Sequence, residues 1–311
     1  MQPAFINYEQ AAEKLSWLGC VEALHAGHKQ PRAEIGDIFL GPDRGTLLTR
    51  AAHIDGMGYG LKSVTVFGDN PKRGLPTVQG AMMLFDPGNG QLKAVIDSRL
   101  VTEFKTAADS VLGAQLLARP DSRHLLVVGA GTVARSLIKA YSAVMPDLAQ
   151  IAVWARRPEQ AEALASDFAG HSIPVAAAKD LQQACAQADI ISTATMAQEP
   201  ILPGALVRPG THVDLIGAFK ANMREADDAL ISTSSLFVDS RETTIGHIGE
   251  IMIPMVAGVI DEASIRGDLY DLIGDTAPGR QSPDEVTLFK NGGGAHLDLM
   301  IATHILDVVG E

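Results

Sequence analysis

The sequence predicts an α/β fold, a doubly wound parallel sheet joined to a smaller, split α+β domain. Three observations carry this. From residue 124 onward, apolar strand-like runs alternate with helical patterns at βα spacing, which means a parallel sheet with helices on both faces. The first third is instead strand-rich, with turn signals at short intervals. And 311 residues exceed one small core and fit two domains.

Taken in order, residues 8–28 (YEQAAEKLSWLGCVEALHAGH) carry an amphipathic helical pattern, in one piece or two. Strand-like runs follow in TLLTRAAHID, GYGLKSVTVFG and TVQGAMMLFDP, and DPGNGQLKAVID predicts a hairpin turning at PGNG. FKTAADSVLGAQLLA is helical. Then HLLVVGA, TVARSLIKAYSAV, QIAVWAR and PEQAEALASDFA alternate strand and helix, and IPVAAA, DLQQACAQA, DIISTAT and THVDLIGA keep the rhythm. The closing stretch, VTLFKNGGGAHLDLMIATHILDVV, opens a helix from a glycine run and breaks the alternation. It is therefore assigned to the first domain, giving a domain built from both ends of the chain, 1–112 and 285–311, and a parallel-sheet domain over 113–284.

Composition narrows the function. An apolar share of 46% with 20% charged residues is that of an ordinary globular protein. A formal net charge of −12 argues against nucleic acid and anionic membranes as partners, though a few local cations can still serve an anionic substrate. Cys20 and Cys185 have neither paired nor metal-type spacing, and no histidine has metal spacing, so the expectation is a reducing cytoplasm and no metal. The first residues lack a basic start followed by an apolar run, and no apolar run is long enough to span a bilayer.

The stretch LLVVGAGTVARSLIKAYSAV places Gly129, Ala130, Gly131, Thr132, Val133 and Ala134 between an apolar strand and a helix, with a second strand about twenty residues on. Gly129 permits the tight turn, Gly131 lets backbone approach a pyrophosphate, and Ala134 allows close helix–strand packing. The helix N-terminus offers free N–H groups to the phosphates; a plain βα turn is the alternative. The next strand ends in Ala155, where an NAD site usually has Asp or Glu, and Arg156 and Arg157 follow. Two guanidiniums suit a 2′-phosphate, so NADPH is preferred, with NADH open if the arginines only begin a solvated helix.

In the first domain, Lys62 sits among apolar strand residues, where a lysine is rare without a partner. Arg50 ends the strand TLLTR, and Lys105 opens the helix leading to the nucleotide domain. Thr77 and Gln79 lie in PTVQG, and Asn291 with Gly292 and Gly293 predicts an anion-binding backbone nest. Together these outline a pocket for a small carboxylate; singly, Arg50 and Lys105 read equally well as surface cations. His296 either faces this pocket or lies on the helix surface.

At this point the chain resembles the ornithine cyclodeaminase/μ-crystallin family of NAD(P)-dependent enzymes. The resemblance covers nearly the whole chain and rests on GLKSVTVFGDNPKRGLPTVQGAMMLFD, TEFKTAADSVLGAQLLARPDSRHLLVVGAGTVA, ADIISTATM, DLIGAFKANMREAD and VTLFKNGGGAHLDL. It implies a Rossmann domain set into a split substrate and dimerisation domain, a homodimer, and chemistry at an imine-forming carbon next to a carboxylate. Lys62 matches the family's lysine for the substrate carboxylate, and Thr77 a position near the pocket. The cofactor set expected from these segments adds Thr193, Ala194, Thr195 and Gly217.

The departures from the family also inform. The cyclodeaminases carry an aspartate where Phe219 follows Gly217-Ala218, which weakens the ornithine cyclodeaminase reading. A family arginine is Lys105 here, another is Ile35, and Arg50 stands where methionine is common. A Ser-Val-Gly segment is replaced by Asn291-Gly292-Gly293. The expectation is NAD(P)H-dependent reduction of Δ1-pyrroline-2-carboxylate to L-proline, with the six-membered homologue Δ1-piperideine-2-carboxylate, reduced to L-pipecolate, a second substrate. Alternatives are ornithine cyclodeaminase, alanine dehydrogenase, iminosuccinate reductase and a non-catalytic NADPH-binding protein.

Overall fold

The computed structural model describes residues 2–42 and 44–310. Along the chain run β1 (Ala4–Ile6), α1 (Tyr8–Ala11), α2 (Trp17–Gly27), β2 (Glu34–Leu40), β3 (Thr46–Ile54), β4 (Gly58–Val66), β5 (Val78–Phe85), β6 (Leu92–Asp97) and α3 (Ser98–Leu117). There follow β7 (His124–Val128), α4 (Thr132–Val144), β8 (Gln150–Trp154), α5 (Pro158–Asp167), β9 (Val175–Ala177), α6 (Leu181–Gln187), β10 (Ile190–Thr193) and β11 (His212–Leu215). The last part holds α7 (Asp228–Thr233), β12 (Ser235–Val238), α8 (Arg241–Thr244), α9 (Gly249–Val256), β13 (Ile265–Asp268), α10 (Leu269–Ile273), β14 (Thr287–Lys290) and α11 (Ala295–Val309).

Two compact units result, one of residues 1–105 and 294–311, the other of 106–293. The first is a six-stranded sheet in the order β1-β6-β5-β4-β3-β2, antiparallel except where β1 lies parallel to β6. Residues of β4 alternate between buried and less buried, the signature of a strand with one face covered. Helix α11 covers that face, its Leu299 packing so close to Gly60 that a Cβ there would stand 3.1 Å from it. The expected hairpin is β5–β6, and the helical pattern over 8–28 is broken before Trp17, where Ser16 caps α2 by accepting from the Gly19 amide at 3.0 Å.

The second unit is an eight-stranded, all-parallel sheet, β13-β12-β14-β11-β10-β7-β8-β9. Its inner strands are buried on both faces, and β7 accordingly reads as a continuous apolar run, Leu125 through Val128 all buried. The chain runs outward from β7 to β8 and β9, then returns to pair β10 with the other side of β7. That reversal makes a topological switch point at the carboxyl ends of β7 and β10, where open α/β sheets bind their ligands. Buried Leu126, Ile191, Val213, Leu236 and Leu288 belong to its core.

The unit boundaries fall at 105/106 and 293/294, not at the expected 112/113 and 284/285. The physical reason is β14. VTLF looked like the lead-in to the terminal helix, yet Thr287–Lys290 pairs with β11 and β12 inside the parallel sheet. Phe289 of β14 fills the space over Gly113 of α3, which ties the second half of that helix to the same unit. Only from Gly294 does the chain rejoin the first unit.

Candidate active site

In the second unit the glycine turn has the conformation a dinucleotide cradle needs. Gly129 sits at φ +125°, and a Cβ on it would lie 2.5 Å from the Ala194 carbonyl oxygen, so only glycine fits between the ends of β7 and β10. Gly131 is the N-cap of α4, makes no side-chain cap, and has open space where a Cβ would stand. The first-turn N–H groups of Thr132, Val133 and Ala134 thus meet no capping side chain, and the backbone is approachable. Ala134 is fully buried, Ala155 nearly so. Arg156 and Arg157 are exposed after β8, Arg157 donating to Gln160 Oε1 at 3.1 Å. These residues fit a nicotinamide dinucleotide.

The loops after β10 and β11 are gathered by a residue the sequence reading did not single out. Glu225, fully buried, accepts from Thr193 Oγ1 (2.7 Å), Thr195 N (2.8 Å), Thr195 Oγ1 (2.7 Å) and Gly217 N (2.6 Å). Three expected cofactor residues, Thr193, Thr195 and Gly217, are therefore held by one carboxylate, with Ala194 between the threonines. Glu250 receives the Glu225 and Ala226 amides at 2.8 and 2.9 Å; burial pushes its carboxyl up to about 7.

The expected anion nest is already filled. The N–H groups of Gly292 and Gly293 donate to Asp239 Oδ2 at 2.9 and 2.6 Å, and Asn291 donates its amide to Thr106 O and Ser110 Oγ, both at 3.0 Å. Three candidate substrate residues thus fasten β14 and α3 and accept the chain's own anion, because Asp239 at the end of β12 is delivered to them by the strand order. Phe219, by contrast, is exposed, with the Lys220 ammonium 5.4 Å from its ring centroid.

In the first unit, Lys62 stands on the face of β4 beneath α11. Its Nζ donates to Asp298 Oδ1 at 2.7 Å, and Lys105 Nζ lies 3.9 Å from the same oxygen. All three side chains are buried. Burial pushes the Lys62 ammonium down to about 8 against the pull of Asp298. Burial raises the Asp298 carboxyl, but Lys62, Lys105 and Arg50 outweigh it and hold it below the usual carboxylate range. His296 is buried edge-to-face with His28, ring centroids 5.6 Å apart, and not on the helix surface; burial takes it down to about 3, so it is neutral.

Arg50 does not end its strand. It lies mid-strand in β3, directly opposite Lys62, and pairs with Asp37 of β2 at 2.7 Å. Lys105 does not open its helix either, since α3 begins at Ser98. Gln79 is not with the lysines: its register partner is Thr65, which alternation places on the opposite face of the sheet from Lys62. Thr77 lies in the bend before β5, its carbonyl accepting from Phe67 N at 2.9 Å. Asp298 was missed, although the signal that marked Lys62 marks it equally: one charge flanked by Leu297, Leu299 and Met300.

Loss of the Glu225 carboxylate leaves four donors without their acceptor. Glu225→Ala is therefore expected to lower unfolding free energy by about 2–3 kcal/mol in denaturant titration, whereas Glu225→Gln, which retains an acceptor, is expected to lose less.

Residues 25–311 match the ornithine cyclodeaminase/mu-crystallin family. The chain is 62% identical over 307 residues to a Δ1-pyrroline-2-carboxylate reductase of Paracoccus denitrificans, covering 99% of this chain and 97% of the relative. Among solved structures it superposes on the Thermococcus litoralis Δ1-pyrroline-2-carboxylate reductase in complex with NADH and L-proline, with TM-score 0.91, 27% identity, and 98% and 97% of the two chains covered. An archaeal alanine dehydrogenase dimer with bound NAD aligns with TM-score 0.91 and 26% identity over 99% of this chain and 96% of that one. With its parallel dinucleotide-type sheet, its glycine cradle and these likenesses, the chain belongs to the ornithine cyclodeaminase/mu-crystallin family.

Proposed function

We propose that the protein reduces Δ1-pyrroline-2-carboxylate to L-proline using a reduced nicotinamide dinucleotide. The observation that carries this is the charge of the buried cluster. Two ammonium groups face one carboxylate, so a positive charge is left out of water, and an anionic substrate group offsets it. The likeness to reductases of this imine supports the substrate.

When bound, the reduced nicotinamide supplies the hydride that C2 of the imine receives. Lys62, with Lys105, grips the substrate carboxylate and so fixes C2, and positioning of this kind supplies much of the rate. A protonated C=N accepts hydride far more readily than a neutral one. Cations oppose that protonation, and the substrate carboxylate together with Asp298 offsets them. Lys62, an ammonium brought to about 8, is the candidate proton donor, with a bound water the alternative. Δ1-Piperideine-2-carboxylate is a second substrate of the same site, since one methylene discriminates weakly. The absence of a carboxylate at Phe219 speaks against ornithine deamination.

NADPH is the preferred cofactor on this reading, because the Ala155 side chain offers no acceptor for a ribose 2′-hydroxyl and the exposed Arg156 and Arg157 suit a 2′-phosphate, Arg157 exchanging its bond to Gln160 for it. A homodimer is supported by the sheet face opposite Lys62. Ile38, Leu40, Leu47 and Tyr59 share it by register and are all exposed, and a related enzyme is a dimer.

The decisive experiment follows reduced-nicotinamide absorbance with Δ1-pyrroline-2-carboxylate, with L-ornithine plus NAD assayed in parallel for ammonia. Rapid oxidation without ammonia is expected; ammonia from ornithine, or silence with the imine, defeats the reading. Lys62→Ala is expected to lower kcat/KM for the imine about a hundredfold or more, and wild-type KM is expected to rise above about pH 8 as Lys62 loses its proton. Replacing Arg156 and Arg157 by alanine should abolish the preference for NADPH over NADH; a preference that persists rules out their part. Ile38→Glu with Leu47→Glu is expected to convert a dimer to a monomer in light scattering.

A further inference from the structure

We propose that Asp298 is a positioning residue for this reduction: its carboxylate fixes the Lys62 ammonium in the place and charge state in which it grips the substrate. The inference rests on the imine-reductase reading above.

The geometry is specific. Lys62 projects from the middle of β4, and its flexible stem offers many positions for the ammonium. Asp298 Oδ1, 2.7 Å away, selects one. Asp298 lies in the first turn of α11, where the helix N-terminus favours an anion. It is not serving as a cap, because α11 has no side-chain cap bond, and its Oδ2 has no hydrogen-bond partner among the described residues. Its carboxylate is thus given to the lysines and not to the backbone.

The charges around Lys62 come from several elements. Arg50 faces it from β3, with Asp37 of β2 paired behind Arg50. Lys105 faces the pair from α3, and Asp298 and the neutral His296 lie on α11. His28 of α2 packs on His296, and the Arg32 charge also acts there. On β5 the residue opposite Lys62 is the uncharged Met82. Asp298 and Asp37 are the anions of the set, and Asp37 is taken by Arg50. Without Asp298 the Lys62 ammonium would face burial and cations alone, and would lose its proton at a lower pH.

The test uses the full chain and steady-state imine reduction from about pH 6 to about pH 9.5. In Asp298→Asn, KM for the imino acid is expected to rise about tenfold or more with kcat changed less. The alkaline limb of kcat/KM is expected to move to lower pH by about one unit, while KM for the cofactor stays put. Asp298→Glu keeps the charge but moves it, so KM rises several-fold and the limb stays at its wild-type pH. A limb unmoved in Asp298→Asn, with activity lost only in proportion to folded protein, overturns the proposal. So does a limb that still shifts when Asp298→Asn is made in a Lys62→Arg background, where the cation does not titrate. Should Asp298→Asn fail to fold, unchanged KM in Asp298→Glu overturns it. If the wild type reduces no imine, the functional reading fails, and competitive acetylation of Lys62 read by mass spectrometry, in wild type against Asp298→Asn, still reports whether Asp298 holds the ammonium.

Discussion

A carboxylate taken out of water must be met by donors or cations, and each unit of this protein is arranged around that demand. In the parallel-sheet unit, Glu225 draws in the ends of β10 and β11, Asp239 fastens the glycine segment after β14, and Glu250 holds the backbone that carries Glu225. In the six-stranded unit, Asp298 meets Lys62 and Lys105. The first three accept mostly from backbone N–H and hydroxyl groups of the same unit, with the buried Lys290 ammonium acting on all of them. The last is met by two ammonium groups, so that here the cations outnumber the anion they share.

The dinucleotide half was legible because its signals are local. An apolar run buried on both faces, two glycines and an amphipathic helix follow one another within twenty residues, and the structure needs Gly129 for the reason the pattern gives: backbone passes where a side chain would be. What the sequence did not show is non-local. β14 enters the sheet between β11 and β12, so a stretch late in the chain lies where an unbroken progression would put the next strand. Nothing in VTLF distinguishes such a strand from a lead-in to a helix. The glycine nest failed for the same reason, since its anion comes from Asp239 on another strand.

The charge cluster was half legible. Lys62 betrayed itself by its apolar neighbours, while Asp298, with the same kind of neighbours, was hidden by the glycine run that drew notice to the preceding residues. Gln79 shows the complementary error. It is near Lys62 along the hairpin, but the two-residue period of a strand turns it to the other face. Arg50 lies opposite Lys62 and Lys105 shares its carboxylate, but neither sits at the end of its element where the residue pattern puts it.

Lys62 and Asp298 are separated by 236 residues, and the whole parallel-sheet unit is encoded between them. A ribosome therefore delivers the cations of the cluster first and their counter-charge last. During synthesis β3 and β4 carry their basic side chains without α11 to cover them, while the unit in between has everything needed for its own sheet. The order of emergence thus keeps the first unit open and unfinished until α11 is made, and a chain halted before α11 would hold the whole parallel-sheet unit but two lysines without their shared carboxylate.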